Sequence, residues 1–367
     1  MRAFAVFPSA RELRVVDHPA PGAPSPTQAV ARVLEVGVCG TDREIGAFQY
    51  GTPPAGSDYL VIGHESLARI ESVGAEVRAL APGDLVVPTV RRPCTDPACA
   101  ACRAGRQDFC VSGGFTERGI RGAHGYMTER VLEEERYLVP VPAALREVAV
   151  LTEPLTIAEK SLAQVRAIAA RLPEACRHSP TSPHRALVLG AGPVGLLGAM
   201  ALRAAGYQVS VYSRSAPGEK RAAIAQAIGA AFIPAETHGA LEATERAGPV
   251  DLVYEAVGAS GVAFEFMKFL GPNGTFVFTG VPGRKAAVRL DTDRIMRRLV
   301  LENQVVLGTV NAGRDHFSAA ARDLGVFMSR WPDAVRGLIT GRFPLEQALE
   351  PLSGRAGGIK SVIAVGE

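Results

Sequence analysis

Two patterns of apolar and polar positions divide the chain. Near the start the apolar runs are short, at Ala3–Phe7, Glu12–Val16 and Gln28–Val38, with the Pro/Gly-rich stretch Pro19–Pro26 between the last two. Such runs bounded by turn residues read as strands, so this segment predicts a mostly β, irregular unit. Leu151 then opens an apolar-periodic helix that runs through Ile168. From Arg185 onward the pattern alternates, with strand candidates at Ala186–Leu189, Gln208–Tyr212, Ala231–Ile233, Leu252–Glu255, Thr275–Thr279 and Val305–Gly308. Helical stretches between them predict a doubly wound parallel sheet. Beyond it, Phe317–Ser329 reads as an amphipathic helix, Leu345–Leu352 as a short one, and Gly358–Ala364 as a final strand. Leu172–His184 is rich in Pro, Ser and His and reads as a connecting loop carrying a free thiol at Cys176.

The chain is organised around its middle. The run Ala186–Leu189 ends in Gly190-Ala191-Gly192-Pro193-Val194-Gly195, and an Ala/Leu/Met-rich stretch follows to Gly206. Strand, glycine turn and helix in that order form a dinucleotide-binding fingerprint. Gly190 allows the sharp turn, Gly192 admits a pyrophosphate to the backbone, and Gly195 lets helix and strand pack closely. The helix N-terminus, opened by Pro193 and Val194, offers free N–H groups to the anion. The second strand ends in Ser213-Arg214-Ser215, without the acidic residue that bonds the ribose hydroxyl of NAD. Arg214 is therefore a candidate for the 2′-phosphate of NADP, with a solvated surface arginine and dual cofactor use as the alternatives.

Length and composition add bounds. The 367 residues suggest about two domains, and 47% of them are hydrophobic, enough for sizeable cores. The 40 basic and 37 acidic residues are interspersed and leave a net charge of +3, which argues against a nucleic-acid surface. There is no membrane-length apolar run and no signal-peptide pattern, so the expectation is a cytoplasmic protein. In that compartment the six cysteines call for a role other than disulfides.

Cys39-Gly40-Thr41-Asp42 follows the run that ends at Val38, and Gly63-His64-Glu65 comes later. Thiol, imidazole and carboxylate are the ligand types of catalytic zinc, with Asp42 placed to accept the other ring N–H of His64. A buried structural cysteine and a half-exposed histidine are the alternative. Cys94, Cys99, Cys102 and Cys110 fit a closed, four-thiolate structural zinc site, with disulfides as the alternative and Arg103 and Arg106 offsetting charge. His124 lies in a glycine-rich run and reads as a satisfied polar group before a substrate or metal contact. Glu153 precedes a proline at a helix start and reads either as a cap or as a fourth metal ligand.

Taken in order, Cys39-Gly40-Thr41-Asp42, Gly63-His64-Glu65, the four-cysteine lobe, Glu153-Pro154-Leu155 and Gly190–Gly195 make the chain resemble the zinc-containing medium-chain dehydrogenase/reductase superfamily over essentially its whole length. It looks most like the microbial glucose 1-dehydrogenases. The closer matches are Pro88-Thr89-Val90-Arg91-Arg92-Pro93, Glu117-Arg118-Gly119-Ile120, Gly122-Ala123-His124-Gly125-Tyr126-Met127, Glu153-Pro154 with Glu159-Lys160, and Val310-Asn311 with His316-Phe317.

The resemblance implies a GroES-like, mostly β catalytic domain over residues 1–160, completed by 312–367, and a Rossmann domain over 161–311. It implies a catalytic zinc on Cys39, His64 and Glu65 or Glu153, and sugar contacts from Thr41, Glu117, Glu153 and Asn311. Cofactor contacts extend to Val257, Val281, Thr309 and Asn311. A following proline, here Pro217, accompanies the Ser213-Arg214 pair of the NADP-using type. The expected activity is oxidation of an aldose, D-glucose first, at C1 to the lactone, with Thr41 relaying the hydroxyl proton. The implied cofactors are NADP or NAD and two zinc ions, and the implied assembly is a homotetramer or homodimer. Two departures stand out. Val90 and Ile157 replace polar residues that touch the sugar in some members, and the gap from Cys94 to Cys99 is longer than in many relatives. Val90 and Ile157 keep open a polyol or secondary-alcohol dehydrogenase on the same scaffold. A non-catalytic NADPH-binding protein is the remaining reading.

Overall fold

The strand Gln28–Val38 is the spine of the first sheet. Its sequence, QAVARVLEVGV, is almost entirely buried, as a strand covered on both faces must be. One edge pairs antiparallel with Glu65–Val73; the other is shared by Arg130–Glu134 and Lys360–Ala364. The computed structural model describes residues 1–174, 184–216, 218–283 and 287–366. The thiol reading of Cys176, the centre of the 172–184 loop and Pro217 lie outside the described residues.

The chain divides into two compact units. One is Met1–Thr156 with Asn311–Gly325 and Leu338–Glu367; the other is Ile157–Val310 with Val326–Gly337. In the first, the sheet around Gln28–Val38 has seven strands and two three-stranded sheets accompany it. One of these small sheets pairs Arg91–Arg92 antiparallel with Thr116–Arg118, so Arg91 lies directly opposite Glu117. The four-cysteine segment is the excursion between those two strands. Together these sheets are the GroES-like unit.

In the second unit, six parallel strands lie in the order Ala231–Pro234, Gln208–Ser213, Arg185–Leu189, Val250–Glu255, Leu270–Phe278, Val305–Gly308. The order reverses beside Arg185–Leu189, and ligands bind beyond the carboxyl ends at such a switch point. Leu187, Leu189, Val250, Val253, Phe266, Leu270 and Phe276 fill part of its core.

Local chemistry moves some element boundaries. The last strand begins at Lys360 rather than Gly358, because Gly357 and Gly358 adopt φ of 62° and 78° and make a turn. The short helix expected at Leu345–Leu352 is a 3₁₀ turn, Leu345–Gln347, followed by Leu349–Leu352. The strand Leu270–Phe278 starts earlier than the apolar run suggests. It carries a register shift, with Asn273 at φ 59°.

Candidate active site

Cys39 caps the helix Gly40–Gly46, and its backbone N–H donates to Asp42 Oδ2 at 2.9 Å. That bond fixes Asp42, which is fully buried, in the first turn. Its Oδ1 stands 3.5 Å from His64 Nδ1, and among the described residues neither atom makes a hydrogen bond. The other ring nitrogen, Nε2, lies 3.3 Å from Cys39 Sγ. Asp42 therefore favours a ring protonated on Nδ1, which leaves the Nε2 lone pair directed to the thiol side. Thr41 occupies the same helical turn and is half-buried.

Cys39 Sγ, His64 and a Glu65 oxygen lie within 4.8 Å of one another. Glu65 is buried and also receives Lys360, whose Nζ donates to Oε1 at 2.8 Å and to Oε2 at 2.5 Å. Room for this carboxylate exists because residue 37 is glycine; a Cβ there would overlap Glu65 Oε2. Lys360 was not a candidate from the sequence; its only signal is a lysine inside the apolar strand Lys360–Ala364.

The electrostatics fit a dication. Burial pushes the Cys39 thiol up, and Asp42 adds to the shift. Burial opposes a charged His64, yet the neighbouring Cys39 and Asp42 outweigh it and hold the ring well above its ordinary value. Burial pushes Glu153 up to about 7; Glu65 and Asp42 reinforce that shift while His64 and Lys360 oppose it. Thiol, imidazole and the Glu65 carboxylate form a donor set that zinc suits in both softness and charge, while Glu153 lies outside that 4.8 Å cluster and is linked to it by the electrostatic pull of His64 and push of Glu65. Cys39, His64 and Glu65 or Glu153 are the residues that would hold the zinc.

Cys94, Cys99, Cys102 and Cys110 bring their sulfurs within 4.8 Å of one another, with Cys99 and Cys110 3.9 Å apart. Tetrahedral Zn–S bonds of about 2.3 Å imply sulfur separations of about 3.8 Å, so this set also fits zinc. None of the described cysteines is in a disulfide. Backbone N–H groups, that of Cys102 first, hold Cys99 down to about 6, whereas burial pushes Cys102 up to about 12. Arg106 pairs with Asp108 at 3.1 Å inside the lobe.

Three donors converge on one oxygen of Glu117. Arg91 Nε and Nη2 reach Oε1 at 3.1 and 3.0 Å, and Asn311 Nδ2 at 3.1 Å. Among the described residues no donor is directed to Oε2. Asn311 adopts φ 57°, a conformation asparagine tolerates, and its Oδ1 accepts from Ala312 N. The structure thus brings Glu117 and Asn311 together and adds Arg91. Val90 is 2% exposed and Ile157 half-buried. His124 accepts from Val61 N through Nδ1 and stacks on Tyr59.

In the second unit, Gly190 turns at φ 101°, and a Cβ at Gly195 would overlap Gly190 O. A Cβ at Gly192 would meet nothing within 4 Å, so the open side of the turn lies there. Pro193 opens the helix Pro193–Ala204, with no side chain capping its N-terminus. Ser213 ends its strand, Arg214 is exposed and Ser215 buried, with Ser215 N 3.5 Å from Ser213 Oγ. Val257 and Val281 are exposed, and Thr309 Oγ1 accepts from Gln164 at 2.8 Å.

A GroES-like unit carrying a thiol–imidazole–carboxylate cluster, and a Rossmann sheet with its glycine turn, are together the architecture of the medium-chain dehydrogenases/reductases. Residues 25–143 match the alcohol dehydrogenase GroES-like domain family, and residues 146–365 match the glucose dehydrogenase C-terminus family. The chain is 41% identical over 369 residues to a glucose 1-dehydrogenase of Methanocella arvoryzae, covering 100% of both chains. It is 40% identical over 371 residues to one of Thermoproteus tenax, covering 100% of this chain and 99% of that one. A solved glucose dehydrogenase of Haloferax mediterranei, in complex with NADP, Zn and gluconolactone, superposes with a TM-score of 0.88 at 31% identity and 100% coverage of both chains. The chain belongs to the glucose 1-dehydrogenase family of the medium-chain dehydrogenase/reductase superfamily.

Proposed function

We propose that this protein oxidises an aldose, D-glucose first, at C1 to the lactone, with hydride transfer to NADP. The observation that carries the reading is the carboxylate of Glu117, fixed on Oε1 by Arg91 and Asn311 with Oε2 unspent. A polyhydroxylated substrate needs such an oriented acceptor, and polar contacts carry most discrimination among hydroxylated ligands. The Haloferax mediterranei relative, solved in complex with NADP, Zn and gluconolactone, supports the same reaction.

Zinc, when bound, supplies Lewis-acid polarisation of the C1 hydroxyl and lowers its pKa. Cys39, His64 and Glu65 or Glu153 would hold it, Asp42 favours the Nδ1-protonated tautomer of His64, and Lys360 balances the charge of Glu65. The Thr41 hydroxyl accepts the proton of the C1 hydroxyl as it gives up its own, while the hydrogen on C1 leaves as hydride to NADP. Glu117 Oε2, Asn311 and Glu153 orient the sugar. On the cofactor side, the turn Gly190–Gly195 with Pro193 and Val194 receives the pyrophosphate. Ser213, Arg214 and Ser215 receive the 2′-phosphate, and Val257, Val281 and Thr309 the nicotinamide end.

Among the described residues no helix is long and apolar enough to cross a membrane. Among the described residues the strand Val305–Gly308 has a single neighbour in its sheet, and Val306, Val310, Met296, Val300 and Leu301 are exposed. These features support a homodimer or homotetramer, and a cytoplasmic location completes the proposal.

The test is a set of initial rates of NADP reduction with D-glucose, D-galactose, D-xylose and sorbitol, alongside zinc content per chain. Fast glucose turnover with inert sorbitol and two zincs is the expected result. Sorbitol or a simple alcohol as the best substrate would transfer the assignment to the polyol or secondary-alcohol reading, for which the apolar Val90 and Ile157 speak.

A further inference from the structure

Glu255 ends the strand Val250–Glu255 and is 1% exposed, next to the buried Leu252, Val253 and Tyr254. A carboxylate in such surroundings needs partners. Among the described residues no cationic side chain pairs with it. Its partners are backbone amides. Oε1 accepts from Val257 N and Gly258 N, both at 2.7 Å, and Oε2 accepts from Gly280 N at 3.3 Å. Its own carbonyl accepts from Thr279 N at 3.0 Å and from Thr279 Oγ1 at 2.7 Å. One residue therefore ties the loop after its own strand to the loop after the neighbouring strand Leu270–Phe278. The two loops touch as well: a Cβ at Gly280 would overlap Gly258 N.

Both loops leave the carboxyl ends of parallel strands, where an open α/β sheet binds its ligand. Each carries an exposed valine beside a tethered amide, Val257 at 44% and Val281 at 75%. Apolar side chains so exposed on an otherwise braced pair of loops suit a flat ring that covers them on binding. We infer that Glu255 is a positioning residue that sets Val257 and Val281 at the spacing required by the nicotinamide end of the cofactor. The inference rests on the NADP reading above and extends it to a residue outside the fingerprint.

The chemistry requires an acceptor on both oxygens. Glutamine at this position keeps the size but turns an NH₂ toward an amide N–H, so one loop is released. The experiment compares wild type, Glu255→Gln and Glu255→Asp as zinc-loaded protein, by calorimetric titration with NADP and with 2′-phospho-ADP-ribose, the same molecule without nicotinamide. Glu255→Gln should weaken NADP about 10-fold, the loss of one charge-assisted hydrogen bond, and leave 2′-phospho-ADP-ribose within about twofold. The KM for NADP should rise while that for glucose holds. Should Glu255→Gln be insoluble, Glu255→Asp, which keeps the charge but withdraws it by one methylene, carries the same comparison. Equal weakening of both ligands would overturn the inference and make Glu255 a general support of the sheet; no weakening of either would overturn it as well. If wild type binds neither ligand, the NADP reading fails first and the inference with it.

Discussion

Arg91 and Glu117 face each other across a two-strand ladder and close it with a forked ion pair on Oε1. Arg91 Nη1 also donates to Asp108 O at 3.3 Å, and Gln107 Nε2 to Arg91 O at 3.3 Å. The same guanidinium thus holds the cysteine lobe and aims the carboxylate that the proposed function gives to the sugar. Arg91→Lys retains charge but loses the fork. It should lower kcat/KM for glucose by about 10- to 100-fold, mainly through KM, with the Kd for NADP within about twofold. Steady-state kinetics with calorimetry checks this, and an unchanged KM would remove Arg91 from the role.

The glycine turn separates packing from ligand approach. Gly192→Ala places its methyl in open space, so thermal stability should stay within about 0.5 kcal/mol while NADP binding weakens at least about 10-fold. Gly195→Ala forces a clash with Gly190 O and should lower the melting temperature as well. Paired calorimetric titrations and melting curves distinguish the two variants.

The Lys360–Glu65 pair is buried, with side chains 2% and 3% exposed. Removing one member strands the other's charge. Lys360→Met should cost about 3 to 5 kcal/mol of unfolding free energy in urea, far more than a surface ion pair would. A loss below about 1 kcal/mol, the scale of an exposed pair, would contradict the burial.

Acid should act through His124. Burial holds this ring down to about 4, with His18 and Arg118 adding to the shift, and His18 is itself lowered by burial and by the N-terminal ammonium. A histidine whose folded pKa lies below 6.5 contributes its full stability above that value. The contribution is lost as pH falls from about 6.5 toward 4. Wild type should therefore lose more urea resistance between pH 7 and pH 5 than His124→Asn, which retains an acceptor for Val61 N. Parallel slopes for the two proteins would count against the assignment.

The clustering of Cys39, His64 and Glu65 was legible because each sits at a position of strong local signal. Cys39 and His64 follow apolar runs, and the glycine fingerprint joins strand to helix. The six-strand alternation was legible for the same reason, since period and length together leave few folds. Lys360, Arg91 as the clamp on Glu117, and Glu255 were not. Each acts on a partner that sequence spacing does not reveal: Lys360 and Glu65 are 295 positions apart. Glu255 reads locally as one polar residue closing an apolar strand, and only the tertiary path of two loops gives it partners. The apolar pattern places the start of the last strand at Gly358, two residues early, because a positive-φ glycine looks like a strand residue until its dihedrals are known.

The distance between Glu65 and Lys360 along the chain also orders events during synthesis. The Rossmann strands from Arg185 to Gly308 emerge together and can pair with one another as they leave the ribosome. The neighbouring unit cannot: its edge beside Val36 and Val38 stays open, and Glu65 stays uncompensated, until Lys360–Ala364 arrives. The nascent protein therefore carries an unpaired strand edge in its catalytic half through most of translation. During that interval the open edge is a template on which another chain could pair.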